Sequence, residues 1–81
     1  MMAKVRLLYF ASLREATGQD VEVVDSAAPD LATLYAEAAA RHALAWPRER
    51  LRVAVDGAFA QWDDALRDGS EVAFIPPVSG G

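Results

Sequence analysis

Leu31, Leu34, Tyr35, Ala38, Ala39 and His42 fall at i, i+3, i+4, i+7, i+8 and i+11, and this is the only long helical period in the chain. It predicts one apolar helical face ending near His42, with Asp30 as its N-cap after the break at Ala28-Pro29. The other apolar segments are short and rich in Val, Leu, Tyr and Phe, as strands are. One helix covers one face of a sheet and leaves the other face bare, so the chain is restricted to two layers. With 81 residues it has one small core, burying about 60 to 65% of its unfolded surface.

Strands are expected at residues 4–10, 21–24, 51–55, 58–61 and 71–75. Ser12 and Glu15 have capping-box spacing and Gly18 is a C-terminal stop, so a short helix is predicted between the first two strands. The second strand returns antiparallel to the first. Trp46-Pro47 closes the connection after the long helix, because proline cannot continue it. Asp56-Gly57 marks a two-residue hairpin between the third and fourth strands. Asp63-Asp64 and Asp68-Gly69 read as turns, the former with a capping role. The first and last strands are the most apolar and form the natural central pair. The fold class is therefore α+β, a β-grasp: one mixed sheet of about five strands packed on one main helix. Residues 1–81 form a single domain, of which 76–81 are expected to be a flexible arm.

Composition excludes several kinds of chemistry. The chain has no cysteine, so disulfides, thiolate metal sites and cysteine nucleophiles are out. Its net charge of −4 speaks against nucleic acid, whose phosphates draw on clustered Lys and Arg. Arg48, Arg50 and Arg52 are the one basic cluster, expected to line a solvated face at alternate positions. No apolar run approaches the roughly 20 residues of a membrane span, and the start is too short and interrupted for a signal peptide. The expected location is the cytoplasm.

No set of side chains assembles a nucleophile, a base and an orienting group. The single histidine, His42, extends the apolar helical face and reads as a partly buried structural residue. Glycines 57 and 69 stand singly in turns, so no phosphate-cradling loop exists. Trp46, Phe59 and Trp62 read as core or edge packing rather than a stacking platform. No metal site is expected.

The last residues are different. From Val72 to Gly81 there is no ionisable side chain, so the terminal carboxylate, with an ordinary pKa of about 3.3 to 3.7, is the only charge. Pro76 to Gly81 can extend roughly 20 Å at about 3.3 Å per residue. Pro76-Pro77 biases the root of this arm towards polyproline II, which lowers the entropy lost on ordering it. Gly80-Gly81 places least bulk around the carboxylate. A slim, uncharged arm with one carboxylate at its tip suits another enzyme's buried site. Gly81 and Gly80 are therefore the candidate reactive residues. Pro76, Pro77, Val78 and Ser79 would be held by a partner, and Phe10, Phe74 and Ile75 at the arm's root are candidates for partner contact or for the core.

The run Asp68-Gly69-Ser70-Glu71-Val72-Ala73-Phe74-Ile75-Pro76-Pro77-Val78-Ser79-Gly80-Gly81 closely resembles the end of molybdopterin synthase small subunits, the sulfur carriers of molybdenum cofactor synthesis. Leu8-Tyr9-Phe10-Ala11-Ser12-Leu13-Arg14-Glu15 with Gly18 resembles their opening, and Val53-Ala54-Val55-Asp56-Gly57 their middle strand. Two departures are visible: Asp56 where asparagine is common, and Ile75 where an aromatic often precedes the prolines.

The resemblance implies that a ubiquitin-activating-like adenylyltransferase, using ATP and Mg²⁺, converts the Gly81 carboxylate into an acyl adenylate. A persulfide donor then displaces AMP and leaves a thiocarboxylate. The arm enters the large synthase subunit and gives its sulfur to the cyclic pyranopterin precursor, two deliveries building the dithiolene. Carrier and large subunit would form a heterotetramer, and this chain would bind no cofactor itself. Related readings are a sulfur carrier for thiamine or cysteine synthesis, which the Phe-Ala-x-x-Arg-Glu opening disfavours, and a ubiquitin-like modifier joined through Gly81 to target lysines. An inert β-grasp interaction module is the remaining reading.

Overall fold

In the computed structural model, which describes residues 2–77, five strands form one mixed sheet in the order β2-β1-β5-β3-β4. β1 (Ala3–Tyr9) pairs antiparallel with β2 (Val21–Ser26) and parallel with β5 (Glu71–Ile75). On its other side β5 pairs antiparallel with β3 (Arg52–Val55), which continues through the hairpin into β4 (Ala58–Ala60). β5 thus lies between β1 and β3, and the expected central pairing of first and last strands is present. Asp56 and Gly57 both take positive φ, 51° and 88°, as a two-residue turn of the type that matches strand twist requires.

α2 (Leu31–His42) lies across one face, and Leu31, Leu34, Tyr35 and Ala38 are buried in the same cluster as Val5, Leu7, Tyr9, Val53, Val72 and Phe74. Asp30 caps it as expected, its carboxylate accepting from the Thr33 N–H at 2.9 Å. Two further helix-start amides, of Leu31 and Ala32, donate to the carbonyls of Asp64 and Trp62 at 3.1 and 2.9 Å. The 61–65 segment is therefore a backbone clasp on the helix start. Asp63-Asp64 belongs to a turn here, and Asp64 accepts from the Gln61 N–H instead of capping a helix.

α1 (Ala11–Thr17) begins earlier than the capping-box spacing implies. Its N-cap is Phe10, which makes no side-chain capping bond, so Ser12 is already inside the helix and the Ser12–Glu15 box does not form. Its end does follow expectation: Gly18, at φ 75°, donates its N–H to the Arg14 carbonyl. Arg48–Arg50 forms a 3₁₀ turn rather than extended chain, which breaks the alternation expected of Arg48, Arg50 and Arg52.

Candidate functional site

Strand alternation sends Phe74 into the core with no exposed surface, where Tyr35 and Trp62 pack on it at centroid distances of 5.1 and 6.1 Å. The next residue, Ile75, faces the opposite, helix-free side. Pro76 is buried and Pro77 exposed. Pro76 is thus held against the body directly after the middle strand of the sheet. Val78, Ser79, Gly80 and Gly81 lie outside the described residues.

The helix-free face carries an unbroken apolar row across all five strands. Register places Val21 beside Leu8, Leu8 beside Ala73, Ala73 beside Ala54 and Ala54 beside Phe59. Phe10 and Ile75 extend it towards the arm. Leu8, Phe10, Ala54, Phe59, Ala73 and Ile75 line a shallow hollow of about 250 Å³. A second hollow beside it is lined by Phe10, Trp46, Ile75, Pro76 and Pro77 and takes in about 640 Å³. Phe59 is 68% exposed and Phe10 46% exposed. An apolar patch of this kind on a small domain marks an interaction surface, since covering one such ring contributes about 1.5 to 3 kcal/mol.

Of the three body residues expected near the arm, Phe10 and Ile75 stand on this face. Phe74 does not: it is core, and any part it plays in docking is indirect, through the seating of β5. Phe59 is the residue that sequence reasoning placed wrongly, as packing. Its signal was present, because a two-residue turn at Asp56-Gly57 sets Phe59 opposite Ala54, and Ala54 lies between the inward-facing Val53 and Val55. Trp62 does pack on the core as expected, and Trp46 packs on its edge.

The titratable cluster nearest β1 is structural. The Glu22 carboxylate accepts from the Tyr9 hydroxyl at 2.6 Å and from Arg41 at 3.2 and 3.3 Å, and lies 3.0 Å from His42 Nε2. Partial burial works to raise the Glu22 pKa, yet the bonds from Tyr9, His42 and Arg41 and the Arg41 charge outweigh it and pull the group to about 2. Burial, and then the bond to Glu22, push the Tyr9 hydroxyl well above its ordinary value. A carboxylate so saturated with donors is a poor base. His42 is a half-buried strut, as its place on the helix predicts, and its ring meets Tyr9 edge-on at 5.8 Å. Among the described residues, no three His, Asp or Glu side chains are placed to hold a metal. No described helix is long and apolar enough to cross a membrane.

A mixed five-stranded sheet grasping one main helix, with the first and last strands paired in parallel at its centre, defines the ubiquitin-like β-grasp class. The chain belongs to the ThiS family, matched over residues 7–81, and within it to the molybdopterin synthase sulfur carrier subunits. It is 40% identical to the molybdopterin synthase sulfur carrier subunit of Escherichia coli K12 over 95% of this chain and 99% of that one. Among solved structures, SAMP1 of Haloferax volcanii superposes with a TM-score of 0.80 at 24% identity, covering 98% of this chain and 100% of that one. Subunits 1 and 2 of the molybdopterin-converting factor of Helicobacter pylori 26695 have been solved as a complex, and the matching chain superposes with a TM-score of 0.66 at 23% identity, each chain fully covered. The last two likenesses bear on fold alone.

Proposed function

We propose that this chain is the sulfur carrier of a molybdopterin synthase and that Gly81 is the residue covalently changed. The observation that carries the proposal is the division of labour at the end of β5: Phe74 and Pro76 are buried, Ile75 joins an exposed apolar face, and the uncharged arm follows at once. Such a face docks a partner while the arm reaches into it. The reach of about 20 Å spans a partner's outer wall. The full-length relationship to sulfur carrier subunits supports the same reading.

In this scheme an adenylyltransferase of the ubiquitin-activating kind binds ATP and Mg²⁺, and an oxygen of the Gly81 carboxylate attacks the α-phosphate with loss of pyrophosphate. The outer sulfur of a persulfide attacks the acyl carbon and expels AMP. A second thiol of the donor then attacks the inner sulfur of the resulting acyl disulfide, which releases the thiocarboxylate and leaves the donor as a disulfide. The large synthase subunit then covers Phe10, Phe59 and Ile75, Pro76 to Ser79 thread its channel, and sulfur passes to the pyranopterin. The relationship to a chain named as one subunit of molybdopterin synthase supports a large-subunit partner, and in this scheme two carriers on a large-subunit dimer complete a heterotetramer. ATP and Mg²⁺ stay with the activating partner. The cytoplasm, where nucleotide and persulfide donors meet, is the proposed location.

Reconstitution tests the proposal. Thiocarboxylated chain mixed with a molybdopterin synthase large subunit and the pyranopterin precursor is expected to yield the dithiolene product. Absence of product with active large subunit overturns the assignment. Recovery of the chain in isopeptide linkage to other proteins assigns it to protein modification instead.

A further inference from the structure

The chain is acidic overall, yet two arginines stand beside the root of its arm. Arg50 Cζ lies 5.6 Å from the centroid of the Trp46 ring, and Arg52 Cζ lies 5.1 Å from that of Phe59. Both line one hollow with Ile75, Pro76 and Pro77. Arg52 is also the cross-strand neighbour of Ile75. The carboxylate in that hollow, Glu49, is paired with Arg48. Arg6, Arg14, Arg41 and Arg48 each make an ion pair, whereas Arg50 and Arg52 make none among the described residues.

A guanidinium held over a ring keeps its N–H edges available and loses little further freedom when it binds. Any protein that covers Phe59 and Ile75 also removes water from Arg52. An arginine desolvated without a counter-charge costs several kcal/mol, so the covering surface must answer it. The counter-charge is not the reacting end of the arm. At about 3.3 Å per residue, Gly81 in an extended arm would lie roughly 17 Å from Pro76, which puts the adenylated or thiocarboxylated carbon far from both arginines.

We infer that Arg50 and Arg52 are a cationic clamp for carboxylates on the rim of the channel in the large synthase subunit that receives the arm. The inference rests on the proposed function. Each guanidinium takes an Asp or Glu of that rim through paired N–H donors. The aromatic rings beneath fix the two forks in place, and the clamp sets the register in which the arm enters. Opposite charge at a rim acts mainly on association rate and salt dependence.

The test is titration calorimetry of the chain against the large subunit of the same organism at low and high salt. Wild-type affinity is expected to weaken as salt rises. Arg50→Gln with Arg52→Gln is expected to weaken low-salt binding by about tenfold or more and to flatten the salt dependence, and Arg50→Glu with Arg52→Glu to weaken it further. The free variants should stay folded, with a melting temperature lowered by no more than a few degrees, because both side chains are exposed and lose only a cation–π contact each. A doubly neutralised variant with wild-type affinity and an unchanged salt slope overturns the clamp while leaving the carrier assignment standing. A wild-type chain that does not bind the large subunit at all overturns the carrier reading, and the clamp with it.

Discussion

Phe74 and Ile75 are adjacent in the chain and serve opposite faces of the sheet: Phe74 is sealed among Tyr9, Tyr35 and Trp62, while Ile75 borders the open face beside Pro76. One residue holds the end of β5 and the next presents it. Truncating them should therefore give opposite phenotypes. Phe74→Ala is expected to cost about 3 to 5 kcal/mol in denaturant unfolding, much of the margin of a domain this size. Ile75→Ala should cost about 1 kcal/mol or less of stability, yet weaken binding of the large subunit measurably in calorimetry.

Phe59 projects from the edge hairpin with most of its ring in water, so its removal should not harm the free chain. Phe59→Ser is expected to leave the unfolding free energy within about 0.5 kcal/mol of wild type. It should weaken large-subunit binding by about tenfold or more, as loss of an aromatic anchor at an interface does. A surface titration with both proteins measures the second effect, and thermal unfolding the first.

The fold was largely legible because its signals are local and periodic: the 31–42 helix, its Asp30 cap, the Gly18 stop and the Asp56-Gly57 hairpin all stand where spacing puts them. Where reading failed, a neighbour decided the outcome. Ser12 has the right chemistry for a cap, but the chain turns into α1 at Phe10 and Ala11, and Ala11 takes a φ of 50° that no propensity suggests. Arg48, Arg50 and Arg52 alternate in sequence, but a 3₁₀ turn after Pro47 turns the first two away from the strand. Phe59 sits between two alanines, so hydrophobicity alone could not choose its face, and only hairpin register does. The absence of ionisable side chains from Val72 to Gly81 is legible in the sequence itself. The face that accompanies the arm required the sheet order, since it joins residues from five strands.

Ala43 ends α2 in the left-handed region at φ 53°, ψ 45°, with its N–H on the Ala39 carbonyl. An alanine is strained there by about 1 kcal/mol, and glycine is not. Ala43→Gly should therefore stabilise the chain by about 0.5 to 1 kcal/mol, raising the melting temperature by several degrees in calorimetry.

Glu22 gives stability a defined acid limit. Its carboxyl is held at about 2 in the fold against an ordinary value of 4.5. Between those values the unfolded chain binds the proton that the folded chain refuses. The contribution is thus complete above pH 4.5 and lost as pH falls from there towards 2. Allowing for solvent screening of the partly exposed group, it amounts to on the order of 2 kcal/mol. Urea unfolding at a series of pH values should show this decline in the wild type, and Glu22→Gln should flatten it while lowering stability at neutral pH.

The central claim is that Gly81 carries sulfur, and mass spectrometry of the C-terminal peptide tests it most directly. After incubation with the activating enzyme, ATP, Mg²⁺ and a persulfide donor, the peptide ending in Gly81 should gain the mass of one oxygen exchanged for sulfur. It should return to the carboxylate when the large subunit and pyranopterin are added. A C-terminal peptide that never acquires sulfur under conditions where the activating enzyme is competent, or that keeps its sulfur while dithiolene forms, contradicts the account.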